Sequence, residues 1–182
     1  MTTGRTQNTT ETPRGRRQPG LGDQPVTPET WLAGSHSDPD AVRREWAETA
    51  YAMVPAGILF DAVRIHAELV HAVAGAGDHD TVSACLTETL AGPVLCRTEL
   101  CYYALVPAGT SESWQCGLAR CLGRGAWIGV PRPGESDPYR LHWCAPMEEP
   151  GRLCPPDAVA ALIERGHELL TPQPTEFRRP AR

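Results

Sequence analysis

Hydrophobic residues are densest between Val54 and Ile65, where the chain reads VPAGILFDAVRI. This density of β-branched and aromatic side chains predicts one buried strand, with Pro55 and Gly57 at its start. Its bulk comes from Ile58, Leu59, Phe60, Val63 and Ile65. Asp61 is the acidic residue inside this run. Because an isolated buried carboxylate is costly to desolvate, we expect Asp61 either at the strand's end, in solvent, or in a site that satisfies it.

Polar capping residues followed by hydrophobic positions at helical spacing predict five helices. They cover residues 28–32, 38–51, 66–74, 78–90 and 156–170. Thr27 is the predicted N-cap of the first helix, and Asp78 or Asp80 that of the fourth. The side chains expected to face the core are those of Val42, Trp46, Tyr51, Leu69, Val70, Val73, Val82, Leu86, Leu90, Val159, Leu162, Ile163 and Leu169.

Short hydrophobic runs separated by turn residues predict more strands in the second half of the chain. They cover residues 93–96, 101–106, 118–122, 126–130 and 139–144, with turns near Thr98 and at residues 123–125. These elements predict a single α+β domain over residues 27–170, with a mostly antiparallel sheet and helices packed on it. The polar segments 1–26 and 171–182 are expected to be a disordered and a flexible tail.

The charge is distributed unevenly along the chain. All 17 basic residues are Arg, and the net charge is −5. The ends are basic, so residues 21–170 alone carry a net charge of −10. An acidic body disfavours broad, sequence-independent binding to nucleic acid, which requires neutralised phosphates. A local anion site is still compatible with it, because Arg120, Arg124, Arg132 and Arg140 fall in one short region.

The seven cysteines are expected to be reduced thiols in a cytoplasmic protein. The N-terminus lacks the apolar segment of a secretory signal, and no stretch reaches the roughly 20 apolar residues of a membrane span. Cys96 with Cys101, and Cys116 with Cys121, are spaced more widely than typical zinc ligands. Small buried thiols are therefore favoured over a metal site.

Three other residue types suggest chemistry less directly. Cys144 lies two residues from His142, so in a strand both side chains point to one face, where the imidazole could activate the thiol. The histidines at positions 66, 71 and 79 lack the spacing of a helical metal site, so they are interpreted as surface or capping residues. Trp127 and Trp143 lie in consecutive predicted strands and are expected in the core.

The glycine-rich residues 123–125 are too few for a phosphate-binding loop, so they predict a turn with one positive φ angle. Arg124 and Arg132 flank the predicted strand 126–130. Guanidinium groups bind phosphate and carboxylate groups well, so these two arginines are candidates for holding an anion.

The order of the sequence motifs resembles a known fold. The motifs FDAV, GPV, CYYALVP, GRGAWIGVPRP and YRLHW, with two helices after the first, are similar to the N-terminal primase-polymerase domain of bifunctional DNA primase/polymerases. This resemblance covers roughly residues 30–170 and implies the archaeo-eukaryotic primase type of fold. A closer resemblance, through VPAG, CLGRG and LCPPDAVAAL, is to a group of small actinobacterial proteins.

The departures from the primase family bear on catalysis. That family holds two metal ions with a D-x-D motif on its first strand, whereas this chain has Asp61, Ala62 and Val63 there. Cys101 stands where the family has a histidine, and Arg120 lies near its third acid. Because two-metal phosphoryl transfer needs several carboxylates, Asp61 alone, the one catalytic candidate, would bind Mg²⁺ weakly. We therefore expect a retained fold without a metal centre or other cofactor.

Three functional hypotheses remain. The first is a primase-polymerase-like domain without catalysis, acting as a regulatory module that binds a nucleotide, nucleic acid or a protein partner. The second is an active nucleotidyl transferase with an atypical metal site. The third, suggested by the actinobacterial group, is an accessory factor that binds a transcription regulator. The candidate ligand-binding residues are Asp61, Tyr103, Arg124, Arg132 and His142, with Arg64 near them.

Overall fold

The computed structural model describes residues 25–97, 100–135, 137 and 140–171. The predicted tails lie almost wholly outside these residues, as do Thr98 and Tyr139. In chain order the elements are α1 (Pro28–Ala33), α2 (Pro39–Glu48), β1 (Tyr51–Pro55), β2 (Phe60–His66), α3 (Ala67–Ala74), α4 (His79–Leu90), β3 (Val94–Arg97), β4 (Cys101–Pro107), α5 (Thr110–Ser113), β5 (Arg120–Leu122), β6 (Trp127–Pro131), β7 (Leu141–Ala145) and α6 (Pro156–Leu170). The predicted α+β class is confirmed.

Three helices begin at the capping residues that the sequence indicates. Side-chain oxygens of Thr27, Asp38 and Asp78 accept hydrogen bonds from backbone N–H groups in the first turns of α1, α2 and α4, at 3.0 to 3.2 Å. The backbone hydrogen bonds lower the pKa of Asp38 and of Asp78. Each carboxylate therefore satisfies amide groups that the helix leaves unpaired at its start.

The described strands form two antiparallel sheets, whereas the sequence predicted one. The larger sheet has the order β5–β2–β4–β3–β7, and β1 pairs with β6 in the smaller sheet. Helices α3, α4 and α6 pack on one face of the larger sheet, around Val63 and Ala104. The opposite face packs in part against β1, β6, α1 and α2, around Leu105 and Val130. Two cores thus lie on either side of the larger sheet.

The predicted continuous strand from Val54 to Ile65 is wrong, because the chain reverses in the middle of it. Val54 belongs to β1, and a turn at Gly57 (φ +82°) leads into β2. Ile58, expected in the core, lies at this turn and is 55% exposed. A Cβ atom at Gly57 would lie 2.6 Å from the Cα of Arg124. The close approach of these two turns is therefore possible only with glycine at this position.

The start of β1 also differs from the prediction, because residues expected to end helix α2 begin this strand. Helix α2 was expected to continue to Tyr51, but it ends at Glu48. Burial alternates along β1, with Ala52 and Val54 inside and Tyr51 45% exposed. This period of two is the strand pattern, and it extends over too few residues to be distinguished from the end of a helix by sequence alone.

The other deviations concern single positions and one short element. Leu169 is exposed rather than buried, and Gly166 continues the inner face of α6 after Ile163. The short helix α5 was not predicted. Gly125 has φ +90°, which confirms the predicted turn at residues 123–125.

Two indole groups fix the small sheet to the rest of the fold. The Nε1–H of Trp46, on α2, donates to the carbonyl oxygen of Val130 at 2.9 Å. The Nε1–H of Trp143, on β7, is 3.2 Å from the carbonyl oxygens of both Pro131 and Arg132. Trp143 is 5% exposed, so its predicted core position is confirmed.

Candidate functional site

Asp61 lies on the face of β2 that the helices cover, and its side chain is completely buried. Its Oδ2 accepts the backbone N–H of Ser111, in α5, at 2.7 Å. Its Oδ1 has no hydrogen-bond partner among the described residues. Asp61 is therefore held in an interior site, which satisfies one carboxyl oxygen and leaves the other unpaired.

The surroundings of Asp61 do not fit the divalent ions that the primase resemblance implies. The partner of Oδ2 is an N–H donor, which would repel a cation placed there. Within the described part of the chain, no group of three or more His, Cys, Asp or Glu side chains could hold a metal ion. Mg²⁺ requires oxygen ligands in near-octahedral geometry, so a single buried carboxyl group is an inadequate donor set. Its contacts make Asp61 a link between β2 and α5.

His142 and Cys144 do not form a nucleophile and base pair. His142 is buried on β7, and its Nδ1 lies 2.9 Å from the carbonyl oxygen of Arg140, to which it donates. Its Nε2 lies 3.3 Å from Nδ1 of His79. Burial raises the pKa of the Cys144 thiol to about 12. Because the thiolate is the reactive form, Cys144 is an inert core thiol.

Thiol labelling tests this assignment directly. At pH 8 a pKa of about 12, raised by burial at Cys144 and Cys154, leaves about one thiol in 10⁴ ionised. We expect iodoacetamide to modify the partly exposed Cys85 and Cys116 of the native protein first. Peptide mass mapping over time measures the order. Modification of Cys144 as early as Cys116 would show that its thiol is activated.

A concave groove lies between the outer face of the small sheet and the uncovered part of the large sheet. It consists of a cavity of about 570 Å³ and an adjoining one of about 330 Å³. Tyr103 and Leu122 line both cavities and so connect them. The other lining residues are Tyr51, Met53, Arg64, His66, Arg97, Gly117, Leu118, Ala119, Arg120, Trp127, Ile128, Gly129 and Leu141.

One wall of the groove is aromatic and accessible. Trp127 is 55% exposed, so its predicted core position is wrong. In β6 the alternation places Ile128 inside and directs Trp127 and Gly129 outward, on the face that also carries Tyr51. A Cβ atom at Gly129 would lie 3.2 Å from the side chain of Leu141. Because glycine has no side chain, Gly129 leaves this part of the groove open.

The other wall carries unpaired cations. Arg64 on β2 lies directly opposite Arg120 on β5 and Tyr103 on β4, so the three side chains share one face. Among the described residues, no ion pair involves Arg64, Arg97 or Arg120. None of the described residues that line the groove is acidic. Like charges in directly opposite positions destabilise a sheet, so this pair favours a bound anion.

Tyr103 is paired with Arg64 across β4 and β2, and its side chain also interacts with Arg97 and Cys101. Burial raises the pKa of Tyr103, although Arg64 and Arg97 act in the opposite direction. A hydrogen bond with Cys101 raises the pKa of Arg64. At neutral pH the groove therefore presents cationic guanidinium groups next to a neutral phenol, which can donate a hydrogen bond to an anion.

Of the predicted ligand-binding residues, Tyr103 lines the groove and the others lie elsewhere. Asp61 and His142 are on the opposite face of the large sheet. Arg124 is exposed in the turn before β6, and Arg132 follows this strand, where it forms an ion pair with a glutamate of α1 at 3.6 Å. The two arginines therefore lie at opposite ends of β6, and the structure does not bring them together.

None of the described helices combines the length and the apolar composition that a membrane span requires. Comparison with known proteins returned no match: no family model, no curated protein and no solved structure is similar to this chain. The resemblance to primase-polymerase domains therefore stays a prediction. Among the described residues, the groove and its lining are the feature that bears on function.

Proposed function

We propose that the protein is a non-catalytic binding module, which holds a nucleotide or a short single strand of nucleic acid in the groove. The observation that carries this proposal is a groove lined by accessible aromatic side chains and by arginines without an ion pair, with no acidic residue among the described lining residues. Bases stack on aromatic rings, and guanidinium groups bind phosphates, so the two walls match the two halves of a nucleotide.

The dimensions and the charge of the molecule favour a small ligand over a duplex. A cavity of about 570 Å³ is in the range of pockets for small molecules and single nucleotides. The net charge of −10 on residues 21–170 opposes contact with a long phosphate backbone. The local group of arginines is therefore the favourable position for a phosphate on this surface.

The donor set at Asp61 supports binding without catalysis. Phosphoryl transfer by two metal ions needs carboxylates that reach both ions, and the carboxyl group of Asp61 is directed away from the groove. The groove itself contains neither an acidic residue nor a cysteine among the described residues that line it. It offers groups for recognition and none for two-metal chemistry.

Replacing Trp127 with alanine tests the proposal. The ligand is a decathymidylate with a 3′ fluorescent label and a free 5′ hydroxyl. Loss of the stacking contact with one base should weaken its binding by about tenfold. Fluorescence anisotropy at low salt measures this affinity. The variant Ile58→Ala is a matched control, because Ile58 is equally exposed, at 55%, and lies outside the groove.

Two results would refute the proposal. The first is a parent protein that binds neither this oligonucleotide nor ATP at low salt, where contacts to phosphates are strongest. The second is equal binding by the parent, Trp127→Ala and Ile58→Ala proteins. Affinity that does not depend on Trp127 would mean that the ligand binds outside the groove.

A further inference from the structure

We infer that the part of the groove between Arg64 and Arg120 binds a terminal phosphate, that is, a phosphomonoester, in preference to a phosphodiester within a strand. This inference rests on the proposed function and names the class of ligand more narrowly. It applies to a nucleoside monophosphate or to the phosphorylated end of a single strand.

The strand register places the two arginines side by side on one face of the sheet. Arg64 and Arg120 occupy directly opposite positions on adjacent antiparallel strands, where Cβ atoms are about 5 Å apart. Both side chains are exposed and line the same cavity of about 330 Å³. His66 lines this cavity as well, and a Cβ atom at Gly117 would meet no other atom within 4 Å. There is therefore open space next to the arginines for a tetrahedral anion.

The charges select the kind of phosphate. A phosphomonoester carries about −1.5 to −2 at pH 7, whereas a phosphodiester carries a single negative charge. Arg64 and Arg120 together contribute +2, and neither is neutralised by a described acidic residue. A phosphodiester would leave one positive charge unbalanced. A phosphomonoester compensates both.

The number of acceptor atoms leads to the same ligand. Arg64 and Arg120 each present a planar set of several N–H donors on the same face of the sheet. The three terminal oxygens of a phosphomonoester offer more acceptors to these donors than the two non-bridging oxygens of a phosphodiester. Because Tyr103 also lines the larger cavity, the base attached to this phosphate points toward Trp127.

The test compares internally labelled decathymidylates with a 5′ phosphate, a 3′ phosphate or no phosphate. We expect the parent protein to bind one phosphorylated form about tenfold more tightly than the unphosphorylated form. The phosphorylated form that is preferred identifies the polarity of the strand. In Arg120→Gln the preference should disappear, because one of the two guanidinium groups is lost. Affinity for the phosphorylated oligonucleotide should therefore fall more than affinity for the unphosphorylated one. Arg124 is an exposed arginine outside the groove, so the control variant Arg124→Gln should keep the full preference for the phosphorylated oligonucleotide.

The variant Arg120→Glu separates binding from folding. It places opposite charges in the cross-strand position of Arg64, so it should raise the melting temperature while it abolishes the preference for phosphorylated ends. Equal affinity of the parent for all three oligonucleotides, together with weaker binding by Trp127→Ala, would overturn this inference and leave the proposed function intact. Failure of the parent to bind any of them would overturn both.

Discussion

Replacing Gly166 with alanine is expected to lower the free energy of unfolding by about 2 kcal/mol. Gly166 is buried on α6, and a Cβ atom there would contact the backbone carbonyl group of Leu69 on α3, with the carbonyl carbon 2.9 Å away. A backbone neighbour cannot rotate away, so the two helices must separate. Overpacking of this kind costs up to about 3 kcal/mol, which outweighs the gain of about 1 kcal/mol in helix propensity.

Urea unfolding followed by circular dichroism measures this loss. Gly117→Ala is the matched control, because a Cβ atom at Gly117 would meet no other atom within 4 Å. It should change the free energy of unfolding by less than about 0.5 kcal/mol. If Gly166→Ala unfolded at the same urea concentration as the parent, α3 and α6 would have to lie farther apart than they do in this structure.

Asp61→Asn is expected to raise the free energy of unfolding by about 1 kcal/mol, and Asp61→Ala to lower it by about 2 kcal/mol. Asparagine keeps an acceptor for the N–H of Ser111, and an amide costs less to bury than an ionised carboxyl group. Alanine leaves that N–H without an acceptor and creates a cavity. The same urea titrations measure both effects.

Comparing Asp61→Asn with the parent also distinguishes a structural from a catalytic role of Asp61. With a structural Asp61, millimolar Mn²⁺ should leave the unfolding midpoints of the parent and of Asp61→Asn unchanged. An Asp61→Asn protein less stable than the parent, together with stabilisation of the parent alone by Mn²⁺, would indicate a metal ion at Oδ1. That result would revive the nucleotidyl transferase hypothesis.

Local signals in the sequence predicted most elements of the fold. A capping side chain acts within one helical turn, so Asp38 and Asp78 identify the starts of α2 and α4. The reversal at Gly57 was missed because its cause is distant in the chain: the backbone of Arg124 approaches this position in space. No window of neighbouring residues contains that contact.

The candidate site was less accessible to sequence reasoning for a similar reason. Arg120 was noted as part of a basic cluster, but its partner Arg64 comes from β2, and the register of β2 with β5 brings them together. Trp127 was assigned to the core because tryptophan usually buries a large apolar area. Its exposure depends on which face of β6 meets the core, and the packing of a second sheet determines that face.

The indole hydrogen bonds described above have a consequence for ligand affinity. Trp143, on β7 of the large sheet, holds the carbonyl groups of Pro131 and Arg132, so the small sheet cannot tilt away from the large one at this end without breaking these bonds. Trp46 fixes the carbonyl group of Val130 to α2 in the same way. The width of the groove is thereby fixed before any ligand arrives. A rigid receptor loses little conformational entropy on association, so more of the contact energy appears as affinity.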